Sequence, residues 1–251
     1  MNRQWVPESF SDSGLFVRPG PVAPRRAQVF GERSSGTNFV KRLIGRNTPL
    51  RPVEALGWKH GGVQALAIPA DLVVVVCVRG AADWARSMHA KPWHAVAALQ
   101  AMAFSDFIRA PWDSVIDRPR YFDIDGVREL VGQPLQADRD PLTGEIYEDL
   151  FALRRGKLAQ HLGLLQRHQG VVLVRMEQAV AAPEAFLDAL EAGLDLPPRT
   201  AFRPVVKRLG AKFKGAVAER PETPASWTEA DMAYLRSRVD AELESALGYS
   251  Y

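Results

Sequence analysis

The run Leu72–Val78, LVVVVCV, constrains this chain more than any other segment. It is almost entirely β-branched and has no polar alternation, so it predicts a strand buried on both faces, as in a parallel sheet covered by helices on either side. Val171–Arg175 (VVLVR) has the same character, and Ala27–Gly31 (AQVFG) reads as a first strand ending in glycine. Helical spacing fills the intervals: Thr37–Arg46, Asp83–Ala90, Ala95–Ile108, Pro183–Ala192, and Glu148–His168 with Leu150, Leu153, Leu158, Leu162 and Leu165 on one side. A last helix is predicted from Ser226, with Glu229 three residues on as in a capping box. Its stripe is Met232, Leu235, Val239, Leu243 and Leu247, and Gly248 ends it. Strands alternating with helices give the α/β class, with a central parallel sheet flanked by helices.

The 251 residues suit one large domain or two small ones. No internal repeat or boundary stands out, so residues 27–251 are expected to form a single domain. Residues 1–26, rich in Pro, Ser and Gly, are expected to be an extended or flexible arm. The stretch 111–147 holds Pro111, Pro119, Gly126, Gly132, Pro134, Pro141 and Gly144 and reads as a long irregular segment, with one short helix near 126–131, of the kind that shapes a pocket or forms a lid. The single cysteine, Cys77, excludes a disulfide framework and a cysteine zinc site and is expected to be a small buried hydrophobe. No apolar run approaches the length of a membrane span and the first 26 residues contain no leader-like stretch, so a cytoplasmic protein without an integral membrane segment is expected. The net charge of +3 suits an anionic ligand, and no basic run interleaved with aromatics marks a nucleic-acid track.

The chemistry concentrates in two places. The first is VFGERSSGTNFV, residues 29–40, a strand, a glycine turn and a helix, with Gly31 and Gly36 five apart. Backbone N–H groups in such a turn, with the positive end of the following helix, make an anion site. Ser34, Ser35, Thr37 and Asn38 add donors, and Arg33 adds a fork that matches phosphate or sulfate oxygens. Thr37-Asn38 stand where a nucleotide triphosphatase has Lys-Ser/Thr, so a Mg-triphosphate is not expected there. The second place is the end of LVVVVCV, where Arg79 occupies the position at which Mg-dependent P-loop enzymes carry an aspartate, with Ser87 eight residues on in the next helix. Two anion sites at the carboxyl ends of neighbouring strands suit a ligand with two anionic ends, and no metal.

At these residues the chain resembles the PAPS-dependent sulfotransferase family. GERSSGTNF, residues 31–39, resembles its 5′-phosphosulfate loop, and VVCVRGAADWARSMH, residues 75–89, resembles its 3′-phosphate motif, in which an Arg and a Ser lie eight apart. KFKG, residues 212–215, resembles the late basic-glycine loop that helps hold the 3′ phosphate and adenine. The likeness runs over roughly residues 27–250 and leans toward the carbohydrate-type and bacterial members. It implies a P-loop-like sulfotransferase architecture and metal-free in-line transfer of the sulfuryl group of 3′-phosphoadenosine 5′-phosphosulfate (PAPS) to a hydroxyl or amine of a small-molecule or glycan acceptor. The co-substrate would leave as adenosine 3′,5′-bisphosphate. Its binding would fall to Arg33, Ser34, Ser35, Gly36, Thr37, Asn38, Arg79, Ser87, Lys212, Lys214 and Gly215. Arg33 stands in for the loop lysine of cytosolic members, and their Lys-x-His motif is compressed here to Lys59-His60.

Arg33 and the loop amides would stabilise charge growing on the leaving phosphate, with Lys59 as a mobile cation. His60, in Trp58-Lys59-His60-Gly61-Gly62, is the first candidate for the acceptor's base, with His89, His94, Glu32 and Glu148 as alternatives. Arg154, Arg155 and Lys157 read as a solvated basic helix face or as contacts to an acidic acceptor or the donor; Trp84, Trp93, Trp112 and Trp227 are core residues or ring-stacking platforms. A P-loop kinase or NTPase, and a non-catalytic nucleotide-binding module of the same fold, are the competing readings. The acceptor, the base and the oligomeric state, a homodimer included, stay open at this level.

Overall fold

The computed structural model describes residues 5–122, 124, 126–206 and 213–251. In chain order the elements are α1 (Phe10–Ser13), β1 (Leu15–Arg18), β2 (Arg26–Phe30), α2 (Thr37–Asn47), β3 (Arg51–Pro52), β4 (Leu72–Val78), α3 (Ala81–Ala90), α4 (Ala97–Gln100) and α5 (Phe104–Phe107). They continue with α6 (Leu150–Leu162), α7 (Leu164–Arg167), β5 (Val171–Arg175), α8 (Met176–Ala181), α9 (Pro183–Gly193), α10 (Glu229–Arg238) and α11 (Ala241–Ala246). The chain divides into two compact units: Met1–Gly80 with Lys157–Leu209 and Asp240–Ser250, and Ala81–Gly156 with Gly210–Val239 and Tyr251.

The first unit holds a five-stranded mixed sheet of order β1-β5-β4-β2-β3. All pairings are parallel except β1 with β5, so the sheet expected to be parallel gains one antiparallel edge. Every residue of β4 is buried, and its side chains alternate between two cores. Leu72, Val74, Val76 and Val78 pack with Val171 and Leu173 of β5 against Leu158 and Leu162 of α6 and Leu243 and Leu247 near α11. Val73, Val75 and Cys77 pack with Val172 and Val174 against α2 and α9. Helices therefore cover both faces, which is why β4 contains no polar position and β5 none before Arg175 at its end, and each buried valine contributes roughly 1.5–3 kcal/mol. At the strand starts, Asp71 pairs with both Arg25 and Arg26, in a cleft that Arg51 also lines.

Residues 5–26 are more ordered than a loose arm. Phe10 is fully buried in the first core, and Leu15–Arg18 pairs along β5 with Leu15 opposite Val174. The second unit has its own core, built on Trp84, Met88, Phe107, Trp112, Phe151 and Leu235. Among its described residues the segment 111–147 carries three short 3-10 turns and isolated bridges such as Trp112 with Tyr147.

Three predicted helices are broken. Ala95–Ile108 becomes α4 and α5, separated by extended Ala103. Glu148–His168 breaks at Gly163 into α6 and α7. The last helix starts two residues later than expected, with Thr228 rather than Ser226 as its cap, accepting from the Asp231 N–H. It then breaks at extended Val239, where Asp240 caps α11. The single apolar stripe thereby serves two cores: Leu235 belongs to that of the second unit, Leu243 and Leu247 to that of the first.

Candidate functional site

In the first unit β2 runs into the bend 31–36 and then α2. Gly31 is obligatory for space: a Cβ there would lie 2.4 Å from the Cys77 carbonyl oxygen of β4. Ser34 and Gly36 both take the left-handed backbone, at φ 65 and φ 87. The bend is braced from inside. The Ser35 hydroxyl and amide both reach the Glu32 carbonyl, at 2.7 and 3.2 Å. Cys77 Sγ donates to the Ser35 carbonyl at 2.8 Å, and Arg79 Nη1 to the Ser34 carbonyl at 3.0 Å. Carbonyls are thus consumed by the fold, while the amides of Ser34, Gly36, Thr37 and Asn38 have no acceptor among the described residues. The last three open the eleven-residue helix α2, where a helix leaves its N–H groups for an outside acceptor.

The Trp58–Gly61 turn lies against this bend. Gly31 N–H donates to the Lys59 carbonyl at 3.1 Å, and His60 Nδ1 returns to the Gly31 carbonyl at 2.7 Å. A carbonyl only accepts, so Nδ1 of His60 carries the proton and Nε2 is the lone-pair nitrogen. Burial first, then the neighbouring Lys59 and Arg33 charges, hold the imidazole well below the ordinary histidine range and keep it neutral. The Trp58 ring stands edge-on to His60 at 5.2 Å. Arg33, only 5 % exposed, sits 5.7 Å from the same indole, and Lys157 of α6, equally buried, 6.0 Å. Lys59 pairs with Glu54 at 3.7 Å, where Lys41 also binds at 2.6 Å, so it is tethered rather than mobile. Burial lowers its ammonium from the usual range.

The first unit therefore brings together Arg33, Ser34, Ser35, Gly36, Thr37, Asn38, Lys59, His60 and Arg79. Ser87, half-buried on α3, belongs to the second unit, as do Lys214 and Gly215; Lys212 lies outside the described residues. In the second unit Arg118 donates to the Lys214 carbonyl and lies over the rings of Trp93, at 4.8 Å, and Phe213, at 5.6 Å. The Ala216 amide bonds Gln100 Oε1 at 2.7 Å, which fixes the stretch after Gly215.

The alternative bases are sorted by their surroundings. His89 is spent on structure, with Nδ1 on the Thr223 hydroxyl at 2.7 Å and Nε2 on the Met102 carbonyl at 3.1 Å. Buried His94, with left-handed φ 67, sets Nδ1 against Asp117 at 2.5 Å. Glu148 is an exposed ion-pair partner of Arg155 and Arg238, and Glu32 is buried in the bend. The basic helix face is not solvated. Arg154 is buried 5.3 Å from the Trp84 ring and Lys157 is buried near Trp58, while half-buried Arg155 donates to the Arg238 carbonyl. Trp84 and Trp112 are core residues.

Sequence reasoning passed over Trp58 as a site residue, read Lys157 only within a basic helix face or as a contact to an acidic acceptor or the donor, and did not single out His161. The signal for the last two was their four-residue spacing beside Leu158 and Leu162, which sets them on the buried side of α6. Among the described residues no three His, Cys, Asp or Glu side chains group as metal ligands, and no helix is long and apolar enough to cross a membrane. No protein-family model, curated protein or solved structure matches this chain.

Proposed function

We propose that this chain is a sulfotransferase that binds PAPS and moves its sulfuryl group to a hydroxyl or amine of a small-molecule or glycan acceptor, on a P-loop-like architecture. One observation carries the reading. A glycine bend at the carboxyl end of a parallel strand leaves the amides of Ser34, Gly36, Thr37 and Asn38 for an outside acceptor, while Arg33 lies buried beside it and Arg79 braces it. Such a cradle takes a tetrahedral anion. No lysine follows Gly36 and an arginine ends β4, which suits a metal-free phosphosulfate better than a Mg-triphosphate.

The acceptor oxygen forms its bond to sulfur as the bond from sulfur to the bridging phosphate oxygen breaks. The acceptor's proton passes to His60 Nε2, the nitrogen left as a lone pair by the bond to Gly31. Charge grows on the departing phosphate, where Arg33 and the bend amides stabilise it. Arg79, at the tip of β4 in the first unit, is assigned to the 3′ phosphate end.

Thermal unfolding with adenosine 3′,5′-bisphosphate, ADP and ATP, each with and without Mg²⁺, tests the reading. The bisphosphate at a hundred times its Kd adds about 2.7 kcal/mol. Stabilisation by ATP that requires Mg²⁺ overturns it in favour of an NTPase, and bisphosphate binding without transfer to any acceptor leaves a nucleotide-binding module. Arg33→Ala lowers turnover by ~10²-fold or more.

A further inference from the structure

We infer that His161 of α6 is a positioning residue for the Trp58–Gly61 turn, holding His60 in place and in one tautomer through the Gly61 carbonyl. The inference rests on the reading of His60 as the acceptor's base.

His161 Nε2 lies 3.1 Å from the Gly61 carbonyl oxygen. The acceptor is a carbonyl, so Nε2 carries the proton and donates. One residue back in the turn, His60 donates from Nδ1 to Gly31. Two neutral imidazoles thus form a chain of contacts from helix to turn to anion bend, each protonated on the nitrogen that faces a glycine carbonyl. The turn closes on itself through Gly61 N–H to the Trp58 carbonyl at 2.9 Å, so what holds Gly61 holds Trp58 and His60 as well. At the neighbouring residue the Gln160 side chain of α6 reaches the turn: a Cβ on Gly62 would fall 2.2 Å from Gln160 Oε1.

The site is a costly place for a polar ring. His161 is 1 % exposed, packs against Phe30 at 6.2 Å, and sits between Leu158 and Leu162 on the core side of the helix. Its Nδ1 is buried with no hydrogen-bond partner among the described residues, a loss that an apolar side chain would avoid. Packing alone therefore does not call for histidine; the donation to Gly61 does. Burial and the charge of Lys157 one turn earlier push its pKa down to about 3, so the donor persists unchanged across the physiological range. The charged groups facing the two rings are Arg33 from the bend, Lys59 in the turn and Lys157 from α6.

Nitrogen-15 histidine NMR of the full chain, with pH titration, reads His60 directly and needs no acceptor. Wild-type His60 shows the Nδ1–H tautomer and stays neutral through the ordinary histidine range. In H161L the turn loosens, His60 samples both tautomers, and its titration climbs toward the ordinary range. H161Q, whose amide nitrogen sits at the depth of Nε2, restores the wild-type signature, and H161N, one carbon shorter, does not. His60 signals unchanged in H161L, or in H161N where H161L fails to fold, overturn the inference. Transfer assays on the same variants separate it from the reading beneath it: coupled NMR signals with turnover indifferent to His60→Ala keep the clamp and remove His60 as base. Where both hold, H161L loses ~10–100-fold in turnover at near-constant affinity for adenosine 3′,5′-bisphosphate, and H161Q recovers it.

Discussion

The Arg79 guanidinium donates to the Ser34 carbonyl across 3.0 Å, so the tip of β4 fixes the one non-glycine residue of the bend that takes a left-handed backbone. Arg79 thus has a structural hold on the bend as well as its proposed role toward the ligand. A hydrogen bond from a charged donor is worth about 1.5–3 kcal/mol. Arg79→Gln should lower affinity for adenosine 3′,5′-bisphosphate by about 10–100-fold in calorimetry. Arg79→Lys, which keeps charge but loses the planar fork, should recover only part of it. Equal affinities in all three proteins would separate Arg79 from ligand binding.

Gly31 carries the second prediction. A methyl group there would fall 2.4 Å from the Cys77 carbonyl and 2.6 Å from Ser35 Oγ, and the first of these is backbone that cannot swing away. Overpacking of this kind costs about 1–3 kcal/mol. Gly31→Ala should lower the thermal midpoint measurably, and it should weaken anion binding beyond what the lost stability explains, because the bend itself must shift. An Ala variant with wild-type melting would mean that β2 and β4 have room to part.

The strands Leu72–Val78 and Val171–Arg175 were legible to the residue because burial on both faces leaves β4 wholly apolar and β5 apolar up to Arg175. Leu15–Arg18 was not, since an edge strand of four half-buried residues is defined by its antiparallel partner rather than by its own pattern. The bend was legible from its glycines and hydroxyls. The use of the second half of α6 was not: Lys157 and His161 fall on the buried leucine side, but the Gly61 carbonyl that His161 meets comes from a turn that spacing cannot reveal. The break at Val239 was hidden for a related reason, as one continuous stripe feeds two separate cores.

In the second unit Asp149 serves as both cap and hub. Its Oδ1 accepts from the Ala152 amide at 2.6 Å, at the start of α6, and its Oδ2 takes the Tyr234 hydroxyl at 2.8 Å and Arg238 Nε at 2.6 Å. Desolvation, and then this carboxylate, push the Tyr234 phenol up to about 12. Asp149→Ala removes a helix cap and leaves two donors unsatisfied, for a loss of about 2–4 kcal/mol in denaturant unfolding. Asp149→Asn should bring the phenol back toward the ordinary tyrosine range, read by ultraviolet titration. A phenol unmoved in that variant would assign the shift to burial alone.

Acid stability tests the buried histidines together. His161 is held near 3 against an ordinary 6.5, and His60 and His89 are shifted in the same direction, burial being the first cause in each. In the unfolded chain all three take up protons near pH 6.5, so between there and pH 4.5 the unfolded state binds more protons than the folded one. Stability from these groups is therefore complete above about pH 6.5 and is lost as pH falls, by about 1.4 kcal/mol per pH unit for His161, with His60 and His89 adding in the same direction. The lowered carboxylates Glu54, Asp71, Asp117, Asp140 and Asp231 act in the same sense but only at lower pH, since their unfolded forms protonate near 4. Urea unfolding at intervals across pH 6.5–4.5 should give a steep decline, and H161Q should flatten it by about one proton's worth of slope. The same slope in both proteins would mean that His161 is protonated in the folded state and would overturn the lowering that its burial beside Lys157 implies.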